Sequence, residues 1–215
     1  MRLQRISRGT PARLPWRACS RQNSMGLCSG PTSPASSSTA TARSTRPVSL
    51  ESEGRPVLAN RDLSTAERAR RIDHIHVPYH DAIDACLARR LAAGVATVLI
   101  AIHSFTPIYL GKARPWQVGI VFDEEACMAN ALIIGLTADP ALTVGVNEPY
   151  APADLVYYTV SRHARPHGLL AAMIEIRNDE IADKAGQMAW ADRLADILLA
   201  ATPALLGAAA GHAVV

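Results

Sequence analysis

The chain has 215 residues, 49% hydrophobic, 19% charged and 5% aromatic, enough for one ordinary domain, or one domain plus a tail. Its longest apolar stretch, residues 91–102, is far short of the roughly 20 that a membrane-spanning helix needs, which excludes an integral membrane protein of that kind. The net charge of +3 hides two unlike parts: residues 1–50 hold eight arginines and no acid, and residues 51–215 hold 14 bases and 19 acids.

The first part carries ten Ser, five Thr and five Pro, with apolar residues at neither helical nor strand period. Such a composition buries too little apolar surface to offset chain entropy, so disorder is expected over residues 1–55. Three readings stand open. The segment has the Arg- and Ser-rich, acid-free composition of an organelle transit peptide. It also has the charge of a nucleic-acid arm, although its arginines are scattered and Trp16 is its one aromatic residue. The third reading is a tail without a function.

Organised sequence begins near residue 56. Ser64 and Glu67 have the spacing of a capping box, in which each side chain satisfies the other's backbone amide. Ile72, Ile75, Tyr79, Ile83, Leu87 and Leu91 then recur at intervals of three and four, which predicts one apolar helical stripe. Pro78 is expected to kink or split this helix, and Gly94 to end it. Residues 95–102 are β-branched and apolar on both faces, the pattern of an interior strand covered by helices on both sides. Strands are predicted at 116–122, 142–146 and 169–176, and helices at 124–136 and from Ile181 onward, with residues 201–215 fraying. Alternating strands and helices predict a layered α/β domain over residues 56–200. Met128, Met173, Trp116 and Trp190 are expected to pack. Four widely spaced cysteines with no CxxC pair predict neither a disulfide framework nor a cysteine zinc finger.

Two strands end in residues an ordinary core would not choose. His103 follows the first, with Ser104, Thr106 and then Pro107, at the carboxyl end where α/β sheets bind ligands. It reads as a metal ligand or general base, or as a histidine hydrogen-bonded at a strand end. Glu175 and Arg177 lie within the last strand, on one face by alternation. A carboxylate there is costly unless paired or near a metal. It reads as a simple Glu175–Arg177 ion pair, or as a general base beside an anion-binding arginine. His76 with His80, and His163 with His167, have the four-residue spacing of a helical chelate. Pro78 and Pro166 speak for exposed, capping or turn roles instead.

Together these segments resemble the N-formylglutamate amidohydrolase family. In order they are residues 102–107 (Ile-His-Ser-Phe-Thr-Pro), Arg114-Pro115-Trp116 with Val118-Gly119, residues 144–150 (Val-Gly-Val-Asn-Glu-Pro-Tyr), residues 174–179 (Ile-Glu-Ile-Arg-Asn-Asp) and residues 187–191 (Gln-Met-Ala-Trp-Ala). Residues 60–69 are similar to the family's entry to its long helix. The resemblance spans about residues 56–200. It implies a three-layer α/β/α fold with a mixed, mainly parallel sheet similar to zinc carboxypeptidases. It also implies a cytoplasmic zinc hydrolase of histidine catabolism that releases formate from N-formylglutamate. On that footing His103 matches a zinc ligand and Glu175 the general base toward zinc-bound water. Arg177, Arg114, Asn147 and Tyr150 are then candidates for holding a small acidic N-acyl amino acid. No nucleic-acid or membrane partner is implied.

The family supplies two more zinc ligands from an N-terminal Glu-His pair. This chain has no histidine before His74 and no acid before Glu51. The alternative is therefore an inactive member lacking two ligands, with residues 1–54 replaced or read out of frame. Arg/Ser/Pro/Ala-rich, acid-free text is what an off-frame reading of a GC-rich gene produces.

Overall fold

Ser64 starts the first described helix as its spacing predicts, its hydroxyl accepting from the Glu67 amide at 3.1 Å. The computed structural model describes residues 51–52, 55–56 and 58–211, so the readings of residues 1–50 lie outside the described residues. The other half of the capping box does not form. The Glu67 carboxylate instead receives Arg70 at 2.8 Å and Arg71 at 3.0 Å, and those bonds hold its pKa down to about 2. Ser64→Ala should cost about 1 kcal/mol in a urea melt, the usual value of an N-cap. No loss would mean that the Glu67–arginine cluster holds the turn without the cap.

Two short strands, β1 (Glu51–Ser52) and β2 (Arg55–Pro56), pair antiparallel ahead of helix α1 (Thr65–Arg71). The break expected at Pro78 falls one turn earlier, in a π-turn at Ile72–His76, and Pro78 sits in the first turn of α2 (Val77–Ala92). There the Val77 amide donates to the Ile72 carbonyl, five residues back. A π-turn shifts the helical phase, and this one breaks the predicted stripe. Ile75 and Tyr79 are exposed, whereas His80 and Leu87 are buried.

Strand β3 (Val98–Phe105) is followed by a hairpin of β4 (Ile108–Tyr109) and β5 (Lys112–Ala113). Then come β6 (Val118–Val121), α3 (Cys127–Thr137), β7 (Val144–Val146), α4 (Tyr158–His163), β8 (Leu170–Arg177) and α5 (Lys184–Gly211). Glu124 and Glu125 precede α3 rather than opening it, and Glu125 caps it by accepting from the Cys127 amide at 2.7 Å. Helix α5 runs through the segment expected to fray as far as Gly211, with Ala201 and Leu205 buried. Cys86 is an exposed free thiol.

The main sheet is mixed, in the order β3-β8-β6-β7. β3 runs parallel to β8 and β6 parallel to β7, while β6 and β8 are antiparallel. Val118, Ile120, Ile174 and Ile176 share one face by alternation, the face on which α3 packs with α5 behind it. The opposite face carries Ala101, Val121, Ala171 and Met173 against Tyr157, Val160 and Ala164 of the α4 region. Met128 and Trp190 are buried as expected, and Trp116 is half-buried. β3, predicted as an interior strand, is instead an edge strand among the described residues. It runs through His103 to Phe105, and Ile102 is 61% exposed. An apolar run reports the wish for cover on both faces, and among the described residues that cover is incomplete on β3.

Candidate active site

Strand pairing builds one row across the sheet. β3 and β8 set His103 opposite Glu175. The antiparallel β6 sets Gly119 on the other side of Glu175, and β7 sets Gly145 beside Gly119. The carboxyl ends of β3 and β8 therefore meet the amino-terminal halves of β6 and β7. The chain after β7 turns back over this row across a cis Glu148–Pro149 peptide. It rests on the two glycines. A Cβ at Gly119 would overlap the Glu148 carbonyl oxygen, and one at Gly145 would lie 2.5 Å from it. Glycines inside strands mark such close backbone approaches.

Glu175 is buried on this row, and its Oε2 has no hydrogen-bond partner among the described residues. Burial pushes its pKa up to about 7, with the nearby Arg114 cation pulling weakly the other way. The ion pair with Arg177, one of the two readings of this strand, does not form. Arg177 is taken by Asp179 at 2.7 Å and Glu180 at 3.1 Å, and its Nη1 donates to the carbonyls of Arg114, Pro115 and Trp116. Arg177 thus pins the Arg114 segment and leaves Glu175 unpaired. His103 is exposed, and partial desolvation pushes its pKa below the usual 6.5, which keeps the ring neutral at pH 7.

Arg114 is buried in an aromatic setting. Its guanidinium carbon lies 4.4 Å from the Tyr109 ring centroid, 4.9 Å from Tyr150 and 5.7 Å from Phe105. Nη1 donates to the Tyr150 hydroxyl at 3.3 Å and to the Thr106 carbonyl at 3.5 Å. Nε and Nη2 donate to nothing among the described residues, so the planar fork keeps donors for a carboxylate. Asn147 is otherwise engaged. It holds a left-handed φ of 52°, its amide donates to the Ile120 carbonyl at 2.9 Å, and its Oδ1 accepts from the Phe122 amide at 2.9 Å. It shapes the loop that delivers Tyr150.

A catalytic zinc centre takes three protein ligands and an open position. Among the described residues no group of three His, Cys, Asp or Glu side chains converges, and the row supplies one histidine and one carboxylate. On their own these residues do not fit a catalytic zinc.

Residues 25–182 match the family model described as FGase, N-formylglutamate amidohydrolase. The chain belongs to the N-formylglutamate amidohydrolase family. The match starts within the basic segment, upstream of the boundary expected near residue 56, and ends before α5 begins. Among solved structures, gene product Atu2144 from Agrobacterium tumefaciens is 41% identical, with a TM-score of 0.69, over 73% of this chain and 62% of that one. The N-formylglutamate amidohydrolase from Ralstonia eutropha JMP134 is 19% identical, with a TM-score of 0.47, over 67% of this chain and 56% of that one. No curated protein matches the chain. This family member therefore spans less than two thirds of either structure's length.

Within this member, only the family resemblance put Glu175 and His103 in one site, and sequence reasoning missed three features. The Gly119–Gly145 cradle was visible only as two strand glycines without an assigned role. The aromatic walls Phe105 and Tyr109 carry no local signature. The buried histidine pair His80 and His163 is joined across 83 positions, beyond the reach of local spacing.

Proposed function

We propose that this chain binds a small N-formyl amino acid through its carboxylate and hydrolyses the formyl amide. The substrate is an acidic one, glutamate-like. The observation that carries this reading is Glu175: buried, unpartnered at Oε2, shifted to about 7, and set opposite His103 near Arg114. A carboxyl group of that pKa takes a proton from an attacking water and returns it to the leaving nitrogen, the two halves of general acid–base catalysis. Arg114 receives the substrate carboxylate on Nε and Nη2, with Tyr150 and Tyr109 holding the guanidinium plane. Neutral His103 orients the polar end of the substrate beside Glu175. Family membership supports an amidohydrolase, and among the described residues of the row the zinc expected from the resemblance would find only His103 and Glu175.

The test is formate release from N-formyl-L-glutamate by the purified full chain, with and without added Zn²⁺. Turnover is expected, and Arg114→Met should raise KM at least ~10-fold with little change in kcat, because a ground-state carboxylate contact is lost. Equal KM in both chains would remove Arg114 from the site. A second reading is favoured by the absence of a three-ligand group among the described residues. In it the domain binds the acyl amino acid without turning it over. Saturable binding with no formate under either condition would establish that reading and overturn hydrolysis.

A further inference from the structure

The β4–β5 hairpin sets a second cation on the face that carries Arg114. Leu110 and Gly111 hold left-handed φ values of 49° and 77°, the mark of a tight two-residue type I′ turn. That turn fixes the register, with Tyr109 opposite Lys112 and Ile108 opposite Ala113. The ladder runs one pair further, because the Arg114 amide donates to the Pro107 carbonyl at 2.8 Å. Residues directly opposite each other, and residues two apart on one strand, project to the same face. Tyr109, Lys112 and Arg114 therefore share a face. The Tyr109 ring, 4.4 Å from the Arg114 guanidinium carbon, lies where this register puts it.

Ile108, which is 57% exposed, and Ala113 occupy the other face. An ordinary surface hairpin turns its charged side chains outward and its apolar ones inward. Here the apolar pair is left outside, and both cations stand with the aromatic ring. Arg114 is buried and Lys112 is exposed, so this face has a dry end and a wet end. Neither cation has an ion-pair partner among the described residues, unlike Arg162, Arg165, Arg177 and Arg193. Two like charges on one face repel, and an anion between them removes the repulsion.

Resting on the carboxylate role proposed for Arg114, we infer that Lys112 sets the preference for an acidic side chain. Lys112 holds the side-chain carboxylate of the acyl amino acid while Arg114 holds the α-carboxylate. The spacing suits this division. Two residues along a strand stand about 6.6 Å apart. The two carboxylate carbons of an extended glutamate are about 5 Å apart, four carbon–carbon bonds end to end. The flexible lysine stem closes the difference, and a point charge at the wet end needs no fixed geometry. Arg114, buried and stacked, fixes the α-carboxylate and with it the placing of the formyl amide against Glu175. A dicarboxylate meets both cations at once, and a monocarboxylate meets one.

Calorimetric titration of the full chain with N-formyl-L-glutamate and with N-formyl-L-glutamine tests Lys112. The two ligands share a shape and differ in side-chain charge, and binding is read without turnover. The glutamate ligand is expected to bind the tighter. In Lys112→Met that preference should fall about 5-fold, the upper end for a solvent-exposed ion pair. Lys112→Arg should keep it, and Lys112→Glu should reverse it. A purely structural fault would weaken both ligands alike and leave their ratio in place. An unchanged ratio in Lys112→Met therefore overturns the role of Lys112 while Arg114 and hydrolysis stand. So does equal binding of the two ligands by the unaltered chain. A reduced ratio with no formate release supports Lys112 and overturns hydrolysis alone. Binding of neither ligand overturns both.

Discussion

Glu175→Gln should slow formate release at least ~100-fold, the scale of a lost general base, and should also make the chain more stable above pH 7. The second effect follows from linkage. The Glu175 carboxyl titrates at about 7 in the folded chain, against an ordinary 4.5, because burial disfavours its charge. Between those values the folded chain holds a proton that the unfolded chain has released. The contribution of Glu175 to stability is thus intact below pH 4.5 and is lost as pH rises through 7. The full penalty is about 3 kcal/mol for a shift of this size. Glutamine keeps the shape and has no charge to desolvate. Urea melts of the two chains should differ little at pH 4.5 and by about 3 kcal/mol at pH 8, with the variant the more stable. A gap that is the same at both pH values would show that Glu175 does not titrate near neutrality.

Gly119→Ala should be the most damaging glycine-to-alanine change among the described residues. Its methyl group would overlap the Glu148 carbonyl oxygen, and the contact is with backbone, which cannot rotate away. The loop must lift or the strand must shift. Either movement pulls Tyr150 from Arg114, which it meets at 3.3 Å. A loss of about 3 kcal/mol is expected, at the upper end of overpacking costs, together with a raised KM for the acyl amino acid. Wild-type stability and KM in this variant would show that the loop does not bear on the row.

The long elements were legible because each carries a local signal. Ser64 is a capping residue, the stretch after Val95 is β-branched, and Gly94 has the positive φ of 64° that ends a helix. Phase and neighbours were harder to read. The π-turn at Ile72–His76 shifts the register of a stripe that looks continuous in sequence. Alternation placed Arg177 beside Glu175, but Asp179 and Glu180, a few residues on, compete for its guanidinium and win by proximity. Asn147 was a substrate candidate through the family resemblance, and its polar turn read equally as turn chemistry; its Oδ1 accepts from the Phe122 amide at the end of β6. Glu175 and His103 were legible as chemistry because both sit where apolar neighbours make a polar side chain conspicuous.

The returning loop meets the sheet through its backbone, with the Glu148 carbonyl over two glycines and the Glu148 side chain exposed. Side-chain identity at position 148 is therefore free to vary without unseating the loop, whereas the glycines beneath it are not. A change of side chain at position 148 therefore leaves the row of His103, Glu175, Gly119 and Gly145 in place.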